Sequence, residues 1–180
     1  MKPTIRISNP VQELLFIISP PRHINSDISV LKDDVQYLIG REFDDRYSKG
    51  CISLFKYNDE HVDAMIEHVE SKAAHFNPFN IFIKNLNVFY TGSRRTIYLD
   101  IVNKYPVRDL FEKIIKEDPG FTPHITIARN LIAEDFLKAW PYLKDFHYSQ
   151  HFLCDRISVL ARADNKWVHH KDILFGQKDA

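Results

Sequence analysis

The sequence predicts an α+β protein with largely antiparallel sheets, and three observations carry that expectation. Apolar runs of strand length alternate with amphipathic helical patterns over most of the chain. The last part holds three successive strand candidates, at 146–153, 156–162 and 166–174. A helix–strand–helix passage also occurs twice, its strands 73 residues apart.

The elements follow in order. Residues 13–19 form a continuous apolar run ended by Pro20 and Pro21, which reads as a buried strand. Ser26 is then expected to cap a helix with Ile28, Leu31, Val35 and Leu38 on one face, fading near 40–43. The segment 50–57 is strand-like, and Asn58 or Asp59 caps a second helix carrying Val62, Met65, Ile66 and Val69. Residues 80–84 and 86–90 make one long or two short strands. A turn at 91–94 leads back into a strand at 95–101. Pro106 suits the first position of a third helix with Val107, Leu110, Phe111, Ile114 and Ile115 inward, stopped by Asp118, Pro119 and Gly120. His124 to Ala128 is a strand. Ile132, Phe136 and Trp140 mark a fourth helix, which Pro141 ends or kinks.

Composition narrows the function classes. Hydrophobic residues are 44% of the 180 and charged residues 27%, which excludes a disordered chain. Lys plus Arg equal Asp plus Glu at 24 each, so a coat for long nucleic acid or an acidic membrane is not expected, though a local basic cleft is compatible. Cys51 and Cys154 are too sparse for a disulfide scaffold and read as free thiols. The apolar run at 14–18 is too short for a signal peptide, and nothing approaches the roughly 20 apolar residues of a membrane span. The expectation is a cytoplasmic monomer, one domain over 1–180, with pseudo-repeat strands near 50–57 and 123–129.

Those repeat strands carry the candidate chemistry. Side chains alternate along a strand, so His124 and Thr126 share a face, as do Cys51 and Ser53 in the first copy. A hydroxyl donates to a phosphate oxygen while an imidazole moves a proton, so two such pairs facing each other make a metal-free acid–base site. A single His-x-Thr is a weak pattern. Its repetition in matching context is what gives it weight.

At this point the chain resembles the 2H phosphoesterase superfamily, in its bacterial 2′-5′ RNA ligase-like (RNA 2′,3′-cyclic phosphodiesterase) branch. Pro123 through Arg129 resembles a full second motif. The run Leu15 to Pro21, the strand Arg95 to Leu99 and the closing segments 155–160 and 166–168 are similar to further family features. The resemblance implies a bilobal fold whose two pseudo-symmetric lobes flank a cleft. It also implies cyclic-phosphate opening or reversible 2′-5′ phosphodiester chemistry on a small RNA end or nucleotide, with no cofactor and no metal. His124 is then the acid or base, Thr126 and Ser53 bind phosphate, and Arg95 and Arg129 contact substrate. The family's first motif has His where this chain has Cys51, so either weak or altered catalysis or an inactive nucleotide- or RNA-end-binding module is implied.

Other groups read more plainly. His147 and His151 lack a third metal ligand at fixed spacing, and His169 and His170 point to opposite faces. His61, His68 and His75 read as solvated. His23, after the proline step, is the one alternative source of the missing imidazole. Arg94 reads equally as a solvated turn residue or as a phosphate or sugar contact, and Tyr57, Tyr90 and Phe121 as packing residues that are able to stack a base.

Overall fold

The computed structural model describes residues 12–116 and 120–176. Its elements run β1 (Gln12–Ile18), α1 (Arg22–Ile39), β2 (Ile52–Asp59), α2 (Val62–Ala73), β3 (Phe79–Thr91), β4 (Arg94–Ile101), α3 (Lys104–Ile115), β5 (His124–Leu131), α4 (Ala133–Leu143), β6 (Ser149–Cys154), β7 (Arg156–Ala163) and β8 (Lys166–Leu174). They form two four-stranded sheets, one in the order β2-β1-β7-β8 and one in the order β5-β4-β3-β6. Every pairing is antiparallel. Each repeat strand, β2 and β5, is the edge of its sheet, and the two edges pack against one another.

The alternation of each strand divides its sheet into two faces. In β1, Leu14, Phe16 and Ile18 enter the main core, whereas Leu15 and Ile17 are buried outside it. In β4, Ile97, Leu99 and Ile101 enter the core, and Tyr98 is buried on the other face. The helices supply the apolar stripes that cover the core faces. In α1 the buried apolar positions are Ile24, Ile28, Leu31, Val35 and Ile39, the spacing of one helical face. Each such side chain contributes about 1.5–3 kcal/mol of burial.

Helix packing crosses between the two sheets. Helix α1 leaves β1 of the first sheet but packs on α4 and on β5 of the second. Helix α2 packs on α3 and on β2 and β8 of the first. Cross-links repeat this pattern. The carboxylate of Asp135, at the start of α4, is buried and paired with Arg41, just past α1. Tyr148 donates its hydroxyl to Asp27 of α1 at 2.9 Å. His68 of α2 bonds through Nε2 to the Ile114 carbonyl of α3 at 2.9 Å. The two halves are interlocked.

Several boundaries differ from expectation for local reasons. Ser26 is not a cap: α1 begins at Arg22, and the Ser26 hydroxyl donates to the Arg22 carbonyl inside the helix. Gly40 ends α1 in the left-handed conformation at φ 78°, its N–H bonded to the Gln36 carbonyl. Asp59 takes the His61 N–H at 3.1 Å ahead of α2. Helix α3 starts at Lys104, before Pro106, because Asn103 anchors its entry to β3: the amide accepts from Phe82 N–H and donates to the Asn80 carbonyl. The expected stop at Asp118 and Pro119 lies outside the described residues. Pro141 lies inside α4, which runs on to Leu143. β3 is one strand with a bulge at Asn85 (φ 56°), which exchanges bonds with the backbone of Tyr148 at 2.9 and 3.1 Å. His147 precedes β6 instead of lying within it.

Candidate active site on the paired edge strands

The two repeat strands carry the same irregularity at the same place. In β2, Ser53 pairs with Ile17 and Phe55 with Phe16, leaving Leu54 as the extra residue. In β5, Thr126 pairs with Tyr98 and Ala128 with Ile97, leaving Ile127 as the extra residue. Leu54 and Ile127 are 73 positions apart, the offset of Cys51 and His124. A bulge reverses the alternation beyond it. Strict alternation would turn Arg129 away from Thr126; with the bulge it shares the face of His124 and Thr126. Its counterpart Lys56 is re-aimed likewise, but it sits 3.9 Å from Glu13 and over the Trp167 ring.

Side chains directly opposite in an antiparallel ladder share a face, so the pairing maps what surrounds the motifs. Thr126, Tyr98 and Asn87 form one row, and His124, Asp100 and Lys84 the next. In the other sheet Ser53, Ile17, Ser158 and Asp172 form a row across all four strands. Asp172 accepts from Ser158 Oγ at 2.7 Å and from His169 Nε2 at 3.0 Å. Burial opposes the charge of Asp172, but these bonds and Arg156 hold its carboxyl below the usual range.

His124 is half-buried, with Phe89 and Tyr98 presenting ring contacts at 4.9 and 5.4 Å between centroids. Its Nδ1 lies 2.8 Å from the Thr122 carbonyl. A carbonyl only accepts, so Nδ1 carries a proton and Nε2 of the neutral ring keeps a free lone pair. Burial pushes the His124 pKa down, with the Arg129 charge adding to this against the opposing Thr122 bond. The shift favours the neutral imidazole, with its free lone pair on Nε2.

Cys51 is half-buried just ahead of β2, its Sγ 3.8 Å from Ser53 Oγ. Burial pushes its thiol up, against the Ser53 bond and the charges of Lys32 and Arg129. Arg129 thus acts on both Cys51 and His124. Its own backbone N–H donates to Asp45 Oδ1 at 3.1 Å, tying β5 to the loop before β2. Lys32, buried on α1, fixes that loop: Nζ donates to the Asp45 carbonyl at 2.6 Å, the Ser48 carbonyl at 3.0 Å and Ser48 Oγ at 2.9 Å. Burial pushes the Lys32 pKa down, with Asp45 opposing.

Arg95 lies elsewhere. It pairs with Leu131 at the far end of β5 from His124, bonds the Gly92 and Arg94 carbonyls at 2.8 and 2.9 Å, and covers the Tyr90 ring. It secures the β3–β4 turn. Phe121 stacks on Phe111 at 4.1 Å, and Tyr57 packs against the core. His23 is exposed on the first turn of α1. His68 is half-buried between helices, not solvated as expected. Among the described residues, no group of three or more His, Cys, Asp or Glu is placed to hold a metal ion, and no helix is long and apolar enough to cross a membrane.

Sequence reading missed Lys32 and the Ser158–Asp172–His169 group. A lysine on the apolar face of α1, one residue after Leu31, was the available signal for the first. The second depends on register between distant strands and carried none.

A two-lobed fold with paired motif strands defines a phosphoesterase-type protein of the 2H class. The chain belongs to the 2′-5′ RNA ligase superfamily, whose family profile matches residues 52–166. A protein of Halalkalibacterium halodurans, named as a candidate phosphoesterase, is 23% identical over 132 residues, 69% of this chain and 77% of its own. A similarly named protein of Oceanobacillus iheyensis is 25% identical over 149 residues, 76% and 87% of the two chains. Escherichia coli LigT, solved with 3′-AMP, superposes with a TM-score of 0.60 at 12% identity, covering 93% of this chain and 99% of LigT. LigT has also been solved with ATP, at a TM-score of 0.57, 14% identity and the same coverage. Kluyveromyces marxianus Usb1 gives 0.54 at 10% identity, covering 94% and 100%. At such identities these structures speak for the fold.

Proposed function

We propose that the protein acts on a small RNA-end or nucleotide phosphodiester, opening a 2′,3′-cyclic phosphate without a metal or organic cofactor. The observation that carries this reading is the matched pair of bulged edge strands, which puts Arg129 on the face of His124 and Thr126 and within electrostatic reach of Cys51. The nucleotides bound by LigT support a ligand of this size. Ser53 and Thr126 hydroxyls donate to the non-bridging phosphate oxygens, and Arg129 balances their charge. His124 Nε2 takes a proton from water as its oxygen bonds to phosphorus. The bond from phosphorus to one ribose oxygen breaks, and that oxygen takes its proton from the Cys51 thiol. Cys51 stands where the family's first motif has histidine, and its raised pKa makes it a reluctant donor, so turnover is slow. Short ends are favoured over long duplexes, a preference that the zero net charge supports.

The test restores the imidazole. Cys51→His is expected to raise hydrolysis of a nucleoside 2′,3′-cyclic phosphate by about 10- to 10³-fold, the range a positioned proton donor supplies. His124→Ala in that background abolishes the gain. The raised thiol pKa also favours a second reading, a non-catalytic binding module. A folded Cys51→His protein that binds nucleotide but gains no activity selects it. A fast wild type slowed by Cys51→His shows instead that Cys51 is a dedicated catalytic group.

A further inference from the structure

The backbone of Arg129 sits in a gap of its own ladder. Ala128 pairs with Ile97 and Leu131 with Arg95, so Arg129 and Asn130 together lie against Thr96. This second bulge follows directly on the one at Ile127. Asn130 takes the left-handed conformation at φ 62°, and its N–H reaches the Thr96 hydroxyl at 3.4 Å. The N–H of Arg129 donates outside the sheet, to Asp45 Oδ1 at 3.1 Å. Two successive bulges deprive the strand of the pairing that normally sets the direction of a side chain. At Arg129 an acceptor from another segment takes over that task.

Asp45 is mounted rigidly enough to do so. Its carbonyl accepts from Lys32 Nζ at 2.6 Å and from Ser48 Oγ at 2.8 Å. The three N–H groups of the Lys32 ammonium go to that carbonyl and to the carbonyl and hydroxyl of Ser48. The lysine thus holds Asp45 by its main chain and leaves the carboxylate for β5. The rest of the loop is fastened to the same helix. Arg46 bonds Asp33 and Gln36 of α1, and Gly50 lies so close to α1 that a Cβ there would overlap the Ile28 side chain. Helix α1 in turn packs on β5. The loop is a bracket between α1 and β5, and Asp45 is its point of contact.

Resting on the reading of His124 and Arg129 as groups that act on the phosphate, we infer that Asp45 is a positioning residue of the reaction: by holding the Arg129 N–H it aims the guanidinium along the face of His124. Asp45 touches neither substrate nor imidazole in this arrangement and acts through Arg129. Two charges bear on the His124 ring, Arg129 lowering its pKa and Asp100, opposite it on β4, raising it. The His124 titration therefore reports where the guanidinium stands.

The experiment follows hydrolysis of adenosine 2′,3′-cyclic phosphate, and the His124 titration by NMR without substrate, in variants of Asp45. Asp45→Ala removes the acceptor, whereas Asp45→Asn keeps an oxygen that accepts the Arg129 N–H and loses only the charge. Asp45→Ala, shown folded by its melting curve, is expected to lower kcat/KM about 10-fold, the lower end for a misplaced charge-assisted bond, with Asp45→Asn staying within about twofold of wild type. Added to Arg129→Gln, Asp45→Ala should cost nothing more, because the two residues work as one unit. Full additivity of the two losses overturns the inference. The His124 pKa should rise in Asp45→Ala as the guanidinium swings away; loss of a carboxylate charge alone could only lower it. A titration that stays in place or falls overturns the inference too. If Asp45→Ala does not melt cooperatively, Asp45→Glu replaces it: the charge stays and the oxygen is displaced, so it is expected to be slower than Asp45→Asn. An equal or reversed order makes charge the operative property and the positioning role falls. The underlying reading fails separately. If wild type opens no cyclic phosphate while the titration still rises in Asp45→Ala, the reaction is wrong and Asp45 still aims Arg129.

Discussion

On the proposed mechanism, two residues set the pH behaviour. Burial lowers the His124 pKa from 6.5, and burial raises that of Cys51 from 9.0. With His124 as base and Cys51 as acid, activity needs a neutral imidazole and a protonated thiol. The profile of kcat/KM should therefore be a broad plateau, its acid limb centred below 6.5 and its alkaline limb above 9.0. A limb centred between those values would break the assignment. The same lowering of His124 acts on stability. A depressed folded-state pKa means that the unfolded chain binds the proton more readily, so the contribution is complete above the unfolded value and is lost as pH falls through the folded one. Melting temperature should drop on acidification from pH 7, and by less in His124→Gln. Lys32 offers a test without titration. Lys32→Met removes the donor that the Asp45 and Ser48 carbonyls share. Denaturant unfolding should show a loss of about 1–3 kcal/mol, the cost of leaving part-buried acceptors without their charged donor; an unchanged midpoint would show that the loop is held otherwise.

At the level of single elements, the bulges make the most specific prediction. Because the Ile127 bulge turns Arg129 onto the face of His124, Arg129→Gln should move the His124 titration upward by NMR, while Lys56→Gln should leave it in place. An unmoved His124 in Arg129→Gln would mean that the arginine does not face it. The sequence showed which faces of the helices are buried, since Ile28, Leu31 and Val35 repeat at a spacing that admits one buried stripe. It also showed the shared face of His124 and Thr126, because two residues of one strand need nothing beyond alternation. It did not show the orientation of Arg129, because an extra residue is defined only against its partner strand. Nor did it show that Arg95 belongs to a turn, since the carbonyls it bonds, Gly92 and Arg94, carry no side-chain signature. Ser26 misled for a related reason: a hydroxyl able to cap a helix is equally able to bond back within one.

The whole molecule is held by exchange between its halves, and separation is the direct test. A fragment of residues 1–91 contains α1 but not β4 or β5, and β1 and β2 but not β7 or β8. It should show no cooperative melting by circular dichroism, whereas co-expression with residues 92–180 should restore one. Independent folding of either piece would contradict the interlock. The same feature governs how the protein is made. β1 lies between β2 and β7, and β7 leaves the ribosome long after β1 does. Until then the newborn chain carries the run 14–18 as an open strand edge, apolar on both sides and bare of charge. Pairings so distant in sequence close slowly. The nascent chain must therefore hold its first strand half-paired until β7 emerges, which is when a holding chaperone has something to bind and when crowded expression diverts it into aggregates.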